Sequence, residues 1–260
     1  MKKTILVTGS SNGIGAAAVE AFAKDGYDVG INYCNSPADA EEVAARCCAY
    51  GADAQVYQAD VSKREDCERM MNAFLEHFGR IDVLVNNAAG KLPAGEFADI
   101  SNEAWLSGWN QKLQCHIRAC RAAYPVMQAQ KSGVIVNVLG TAARNPKASY
   151  MPVGISNAAL YNFTKSFADL CAPQGIRVLG VAPSGVTTGR WTRLVAARAP
   201  AEGKTPEQLQ AEVDAALPLG RMAHPQDVAN AVCFAASDRA SYICGSVITV
   251  DGNSTQGVYL

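Results

Sequence analysis

The stretch TGSSNGIG, residues 8–15, stands between a short aliphatic run and a helical pattern, and this position decides the fold class. A turn with three glycines between a strand and a helix lets the backbone approach a pyrophosphate. The free N–H groups of the helix N-terminus then face the charge of that group. Because glycine also serves simple turns, the context of the pattern carries the prediction. We predict a nucleotide-binding turn made of Gly9, Ser11, Asn12, Gly13, Ile14 and Gly15.

Short aliphatic runs alternate with helical patterns throughout the chain. Strand and helix in alternation imply parallel strands joined by right-handed crossovers. The predicted fold class is therefore α/β, a doubly wound seven-stranded parallel sheet with helices on both faces. The seven predicted strands are TILVT (4–8), YDVGINY (27–33), AQVYQAD (54–60), IDVLVNN (81–87), GVIVNVL (133–139), IRVLGVAP (176–183) and SVITVDG (246–252).

The pattern indicates one domain over residues 1–260, a common length for a single α/β domain. Residues 184–218 show no strand pattern and are long for a connection. We expect them to form an irregular insert over the top of the sheet, where substrate loops usually lie. Two capping signals, Ser62 with Glu65 and Thr205 with Gln208, predict where two of the helices begin.

Composition argues against several classes of protein. The net charge is −1, and the basic residues form no run or tail, so we expect no nucleic-acid or membrane partner. The opening residues MKKTILVTGS hold too short an apolar stretch for a signal peptide or a membrane helix, and we expect a cytoplasmic protein. The nine cysteines include no C-x-x-C pair and no Cys/His cluster with zinc spacing. We therefore expect no metal site and interpret the cysteines as buried thiols in a reducing compartment.

The glycine spacing T-G-x-x-x-G-x-G, together with NNAAG (86–90), resembles the short-chain dehydrogenase/reductases. The resemblance covers almost the whole chain, because it continues through GIRV (175–178), PSGVTT (183–188) and the ending PLGRMAHPQDVANAV…SYICGSVITVDG. It implies a Rossmann-type fold, a nicotinamide dinucleotide and a homodimer or homotetramer. It also implies further cofactor contacts: Asp60 and Val61 beside the adenine, Asn87 and Ala88 along the cofactor, and Pro183, Val186 and Thr188 near the nicotinamide.

The end of the second predicted strand, NYCNSP, bears on the choice between NAD and NADP. An acidic residue here would grip the ribose 2′-hydroxyl of NAD. Asn35 and Ser36 are neutral, so nothing repels a 2′-phosphate, although no arginine or lysine is present in this segment to attract it. The segment resembles the N-Y-x-x-S ending of relatives that use NADP. We therefore favour NADP over NAD, while Ser36 also suits the cap of the helix that begins at Pro37.

The usual catalytic residues of the family are absent. In relatives a tyrosine transfers the proton, a lysine lowers the pKa of that tyrosine, a serine orients the carbonyl and an asparagine anchors a water chain. Alignment without gaps from TKSFADL (164–170) to the proline turn places the tyrosine on Val153 and the lysine on Asn157. Counting back places the serine on Gly140, and the helix after Trp105, which aligns without gaps to Pro125 and Met127, places the asparagine on Lys112.

Lysine and asparagine have thus exchanged places between two helices that face each other in relatives. Lys112 is expected to deliver a cation near the old site, and Asn157 to hydrogen-bond the nicotinamide ribose. The alternative is drift in a pocket that lost its selection, with Lys112 in solvent. Gly140 would also leave space for a bulky or planar substrate.

Three residues are candidates for the proton donor or its substitute. We rank Lys112 first, because a desolvated lysine has a lowered pKa. Tyr150 lies three residues before Val153, and Arg144 follows the fifth strand as an electrostatic clamp. His116, one turn after Lys112, suits either packing or a relay.

Two further groups of residues are open to interpretation. Tyr161 and Lys165 repeat the Y-x-x-x-K spacing, but they lie about 12 Å further along the helix. We expect Tyr161 to be packed or at an interface. Arg190, Trp191 and Arg193 suit an acidic or planar ligand, or else they brace the loop.

The function that these residues predict is an NADP-dependent oxidoreductase with a non-standard proton donor. Its small-molecule substrate would be a ketone, an imine or an activated C=C bond. Two alternatives stay open, because function lies in the site and not in the fold. One is a non-redox enzyme such as a dehydratase or isomerase, and the other is an NADP-binding sensor or partner subunit without catalysis.

Overall fold

The computed structural model of the protein describes residues 2–90, 92–93 and 95–256. The strands are β1 (Thr4–Val7), β2 (Asp28–Tyr33), β3 (Ala54–Gln58), β4 (Val83–Asn86), β5 (Gly133–Val138), β6 (Ile176–Pro183) and β7 (Val247–Val250). The helices are α1 (Gly13–Lys24), α2 (Pro37–Ala49), α3 (Arg64–Phe78), α4 (Asn102–Trp109), α5 (Cys115–Gln130), α6 (Met151–Cys171), α7 (Gly189–Arg198), α8 (Pro206–Ala215) and α9 (Pro225–Ala236). A π-helical turn, Asn110–Gln114, joins α4 to α5.

All seven predicted strands are confirmed, each within two residues at either end. They form one parallel sheet in the order β3-β2-β1-β4-β5-β6-β7. The direction of winding reverses between β1 and β4, so the connections that leave these two strands diverge. Such a reversal opens a crevice at the carboxyl ends of the strands, where ligands bind in open α/β sheets.

The core lies on both faces of the sheet, as the alternation of strands and helices predicts. Side chains along a strand point to opposite faces. Ile5 and Val7 accordingly pack with residues of α1, α2 and α9, whereas Leu6 packs with residues of α3, α5 and α6. Because strands of this kind are covered on both sides, they consist of continuous aliphatic residues.

One capping signal is confirmed and the other is wrong. At α8 the Thr205 hydroxyl accepts a hydrogen bond from the Gln208 N–H (3.2 Å), and the Gln208 side chain accepts one from the Thr205 N–H (2.9 Å). At α3 the helix begins at Arg64, and its cap makes no side-chain hydrogen bond. The N–H of Ser62 instead donates to the Asp60 carboxylate (3.0 Å), which holds Ser62 in a turn before the helix.

The expectation of an irregular insert at residues 184–218 is also wrong, because α7 and α8 lie within it. Trp191, Val195 and Ala199 recur at four-residue spacing and pack with Leu209 of α8. This helical period was present in the sequence. Within the described ranges, no helix is long and apolar enough to cross a membrane, and no cluster of three metal-ligating side chains forms.

Candidate active site

The glycine turn is packed too tightly for side chains. Gly9 has a φ of +62°, which favours glycine, and a Cβ there would lie 2.9 Å from the Ala88 Cα. A Cβ on Gly15 would lie 2.5 Å from the Gly9 carbonyl oxygen and 2.7 Å from the Asn87 amide nitrogen. The turn therefore presents bare backbone at the start of α1, as a phosphate site requires.

Two residues after β4 brace this turn. The Asn87 side-chain amide donates to the carbonyls of Thr8 (3.0 Å) and Gly9 (2.9 Å). The Thr8 hydroxyl accepts from the N–H groups of Asn87 (3.0 Å) and Ala88 (3.1 Å). The structure thus brings Asn87 and Ala88 against the turn, and the side chain of Asn87 serves to shape it.

A buried asparagine on β2, Asn32, also holds the turn. The Asn32 Oδ1 accepts from the Gly9 N–H (2.9 Å), and its Nδ2 donates to the carbonyl of Ala59 (3.1 Å). The side chain is therefore committed to joining β2, the end of β3 and the glycine turn. The signal was its place near the end of a buried strand, where a polar side chain needs partners.

The segment after β2 contains the residues expected to select the dinucleotide. Ser36 precedes α2, but its hydroxyl makes no capping hydrogen bond, so the expected cap is wrong. Asn35 is exposed beside it. Both are placed at the carboxyl edge of the sheet, next to the end of β3.

Sequence reasoning missed a lysine at this edge. The Lys63 Nζ lies 3.9 Å from the Asp60 carboxylate, after β3. Burial raises the pKa of the neighbouring Cys34 thiol, and the charge of Lys63 acts against that increase, so the ammonium group is close to the end of β2. No signal within β2 itself indicates this cation, because it comes from the adjacent strand end.

At the opposite side of the crevice, Lys112 is buried. It lies on the π-helical turn, with 6% of its surface exposed, and its Nζ donates to the Val138 carbonyl at the end of β5 (3.0 Å). Burial lowers the pKa of the ammonium to about 8. The alternative in which Lys112 points to solvent is therefore wrong. π-Helical turns of this kind often occur at functional sites.

Asn157 lies at the same strand end as Lys112. It is 3% exposed, and its Nδ2 donates to the Val153 carbonyl one turn earlier (2.9 Å). Among the described residues its Oδ1 has no hydrogen-bond partner. A Cβ on Gly140 would lie 3.2 Å from the Asn157 amide, so Gly140 makes room for Asn157. The expectation that Gly140 also suits a bulky or planar substrate stays a prediction.

His116 is a packed and neutral residue. Its Nε2 contacts the Val138 carbonyl (3.3 Å), which can only accept, so Nε2 carries the proton and Nδ1 faces the Cys115 thiol (3.4 Å). Burial and the charge of Lys112 lower the pKa of the imidazole to about 3. Of the two interpretations of His116, the structure favours packing.

Comparison with known proteins identifies the family. A sequence model described as enoyl-(acyl carrier protein) reductase matches residues 9–255. The chain belongs to the short-chain dehydrogenase/reductase family. It is 32% identical to the 3-oxoacyl-[acyl-carrier-protein] reductase FabG of Staphylococcus aureus, over 100% of this chain and 99% of that protein. It is also 32% identical to the uncharacterized oxidoreductase YhdF of Bacillus subtilis, over 96% of this chain and 82% of that protein.

A solved structure gives the same fold. A variant of the actinorhodin polyketide ketoreductase, crystallised with NADPH, is 25% identical to this chain and superposes on it with a TM-score of 0.90. The match covers 97% of this chain and 98% of the ketoreductase. These matches confirm the resemblance to short-chain dehydrogenase/reductases and the Rossmann-type fold.

The two other candidates for the proton donor have different surroundings from Lys112. Tyr150 ends a short 3₁₀ turn before α6 and is 41% exposed. The Arg144 guanidinium lies over the Tyr161 ring, 5.1 Å from its centroid. Lys112 and His116, in contrast, meet at the buried Val138 carbonyl.

Tyr161 and Lys165, which repeat the Y-x-x-x-K spacing, contact other residues of the chain. Lys165 is exposed and pairs with Asp169 one turn later (2.9 Å). Tyr161 packs beside Leu139 and Leu160. The expectation that Tyr161 is a packed residue agrees with this placement.

Arg190 and Trp191, both in α7, have different roles. The Trp191 indole donates to Gln210 of α8 (2.6 Å) and packs with Val195, so it braces α7 against α8. Arg190 lies close enough to Lys112 for its charge to contribute to the lowered pKa of that residue. The Thr188 γ-methyl would be 3.3 Å from a Cβ on Gly13, which places the start of α7 directly over the glycine turn.

Proposed function

We propose that this chain is an NADP-dependent oxidoreductase in which Lys112 transfers the proton. The substrate would be a ketone, an imine or an activated C=C bond. The observation that carries the proposal is the buried Lys112 at the end of β5, with a pKa lowered to about 8. A group that titrates near neutral pH is suited to general acid–base catalysis.

The residues present fit a nicotinamide dinucleotide. The glycine turn would hold the pyrophosphate, since it leads into the N-terminus of α1, where free backbone N–H groups can face an anion. The buried Oδ1 of Asn157 needs a hydrogen-bond donor, and a hydroxyl of the nicotinamide ribose would satisfy it. A bound nicotinamide would supply or accept the hydride. Asp60, Val61, Pro183, Val186 and Thr188 are proposed contacts along the rest of the cofactor.

Lys112 would act as acid in reduction and as base in oxidation. Its ammonium donates one hydrogen bond to the Val138 carbonyl, which leaves two N–H groups for a substrate oxygen or nitrogen. After the proton leaves, the neutral amine can still donate to Val138. Burial keeps water from competing for the proton, and the lowered pKa makes its release less costly.

A family description, one relative and one solved structure support the choice of redox chemistry. The matching family description and FabG both name reductases of acyl carrier protein substrates, and the ketoreductase structure contains NADPH. A further solved structure, described as an NADH-dependent reductase and 26% identical, indicates that similar chains use either dinucleotide. The preference for NADP over NAD therefore rests on Asn35, Ser36 and Lys63.

Lys63→Gln tests that preference. The change removes a positive charge near the end of β2 but keeps a long polar side chain. We expect the Kd for NADPH to rise roughly fivefold, because an exposed charge pair contributes up to about 1 kcal/mol. The Kd for NADH should stay within a factor of two. Titration of protein fluorescence with each nucleotide measures both values, and an equal change in both would contradict the assignment of Lys63.

A screen of substrate classes tests the proposed activity. Purified protein is mixed with NADPH or NADH, and binding is measured before ketones, imines and enones are tested for loss of the reduced-nicotinamide absorbance. Turnover that requires Lys112 supports the proposal. Activity that survives Lys112→Met and is lost in Tyr150→Phe would assign the acid to Tyr150 instead. Product formed without oxidation of the nucleotide would favour a dehydratase or isomerase, and binding without any turnover would favour a sensor.

The homodimer or homotetramer implied by the family stays a prediction. Light scattering after gel filtration measures the mass directly, for comparison with 27.4 kDa per chain.

A further inference from the structure

Lys112 is a buried cation that has no matching anion among the described residues. Among the described residues, the ionisable groups whose charge affects the pKa of Lys112 are Cys115 and Arg190, and neither is a carboxylate. Its hydrogen bond goes to a neutral carbonyl. A buried charge is normally paired, because isolation from water is costly. A negatively charged group of a bound molecule would supply the missing partner of Lys112.

The carboxylates on the elements around Lys112 are engaged elsewhere within the described ranges: Glu103 of α4 is exposed and hydrogen-bonds at the start of its own helix, and Asp169 of α6 pairs with Lys165. On its own helix, burial raises the pKa of the Cys115 thiol to about 11, and burial lowers the pKa of His116 to about 3, so both are neutral at pH 7. β5 and α6 contribute the Val138 carbonyl and Asn157, which are uncharged. From α7, Arg190 adds a second positive charge.

The two segments that border this strand end are basic as well. Residues 139–150, which follow β5, contain Arg144 and Lys147 and no Asp or Glu, and residues 184–198 contain three arginines and no Asp or Glu. Of those three, Arg198 is paired with Glu202 at the far end of α7. Thr188 lies against Gly13 of the glycine turn, which places the start of α7, and with it the exposed Arg190, on this side of the sheet.

We propose that the substrate carries an oxyanion group, a carboxylate or a phosphate, that binds between Lys112 and Arg190. This inference rests on the proposed function only in locating the substrate at this site. The planar guanidinium of Arg190 suits a carboxylate or phosphate, and Lys112 supplies a compact second charge. The Trp191 indole is occupied by its hydrogen bond to Gln210 of α8, so we assign it no contact with the ligand.

Binding of such an anion would also prepare the proton transfer. A negative charge close to an ammonium group raises its pKa. The anionic substrate would therefore keep Lys112 protonated to a higher pH than a neutral analogue would. Without substrate, the pKa of Lys112 is about 8.

Paired ligands test the inference. Calorimetric titration in the presence of NADP⁺ compares short 2-, 3- and 4-oxo acids with their methyl esters, and dihydroxyacetone phosphate with dihydroxyacetone. We expect at least one acid or phosphate to bind at least tenfold more tightly than its neutral partner. Which pair shows the difference distinguishes a carboxylate from a phosphate.

Arg190→Gln should reduce the preference for the anionic ligand over its neutral partner roughly tenfold. A hydrogen bond to a charged group contributes more to binding than a hydrogen bond between neutral groups. Binding of the neutral partners should not change. Arg198→Gln, on the same helix but paired with Glu202, is the matched control and should leave both affinities unchanged.

Two outcomes separate this inference from the proposed function. Equal binding of every acid or phosphate and its neutral partner, or an Arg190→Gln variant with an undiminished preference, would overturn the inference even if the neutral compounds are reduced. Tight binding of an anion that depends on Arg190, without oxidation of NADPH by any ligand, supports the inference and contradicts the proposed redox activity.

Discussion

Lys112→Met should abolish turnover and, at pH 7, make the folded protein more stable. Removal of a general acid typically costs a factor of about 10² to 10⁴ in rate. Methionine keeps much of the length and flexibility of the side chain but has no proton to transfer. The affinity for NADPH should stay within a factor of three, because the glycine turn lies at the other side of the crevice. Steady-state rates and nucleotide titration measure the two quantities separately.

The gain in stability follows from the lowered pKa. Lysine has an ordinary pKa of 10.5 and a pKa of about 8 in this site, so the unfolded chain binds more protons between these values. Below pH 8 the folded protein therefore bears the full cost of burying the ammonium, about 3 kcal/mol from the size of the shift. Methionine removes this cost, and the Val138 carbonyl keeps His116 as a donor. The advantage of the variant should shrink as the pH rises from 8 to 10.5.

Urea unfolding at pH 7 and at pH 10 checks this dependence. Lys165→Met is the matched control, since Lys165 is exposed and pairs with Asp169 at the surface. This control should keep full activity and change the free energy of unfolding by less than about 0.5 kcal/mol. A Lys112→Met variant that retains wild-type kcat, or whose stability gain does not depend on pH, would contradict the role and the charge state assigned to Lys112.

Local patterns predicted much of this fold. The strands were identified because each buried strand is a short aliphatic run, and the glycine turn because its neighbours were a strand and a helix. Helices α7 and α8 were missed although Trp191, Val195 and Ala199 recur at a helical period. The lack of a strand pattern was interpreted there as a lack of structure.

The site was harder to predict, because its decisive properties depend on contacts distant in sequence. The burial of Lys112 depends on a π-helical turn and on the Val138 carbonyl, 26 residues away. Lys63 reaches the end of β2 only because β3 is its neighbour in the sheet. Alignment with relatives indicated which residues had been exchanged, but it gave no information on where the replacing side chains point.

Gly15→Ala should weaken NADPH binding by roughly one to two orders of magnitude, because each hydrogen bond lost to a charged phosphate costs about 1.5–3 kcal/mol. An added methyl group at Gly15 would lie 2.5 Å from the Gly9 oxygen and 2.8 Å from the Ser10 Cα, and these backbone atoms cannot move aside as a flexible side chain can. The turn must therefore shift, and its N–H groups leave the positions that face a pyrophosphate. Overpacking of this kind also destabilises by about 1–3 kcal/mol. Fluorescence titration with NADPH and thermal unfolding measure the two effects.

The control for Gly15→Ala must separate loss of affinity from loss of stability. Gly26 has a φ of +84°, and a Cβ there would have no atom within 4 Å, so Gly26→Ala introduces backbone strain without collision. It follows α1 at the end remote from the glycine turn. Gly26→Ala should therefore lower the unfolding temperature and leave the Kd for NADPH unchanged. If both variants lose affinity in proportion to stability, general destabilisation explains the effect. If only Gly15→Ala loses affinity, the nucleotide site lies at the glycine turn, because only there does the added methyl group displace the backbone that would contact the phosphates.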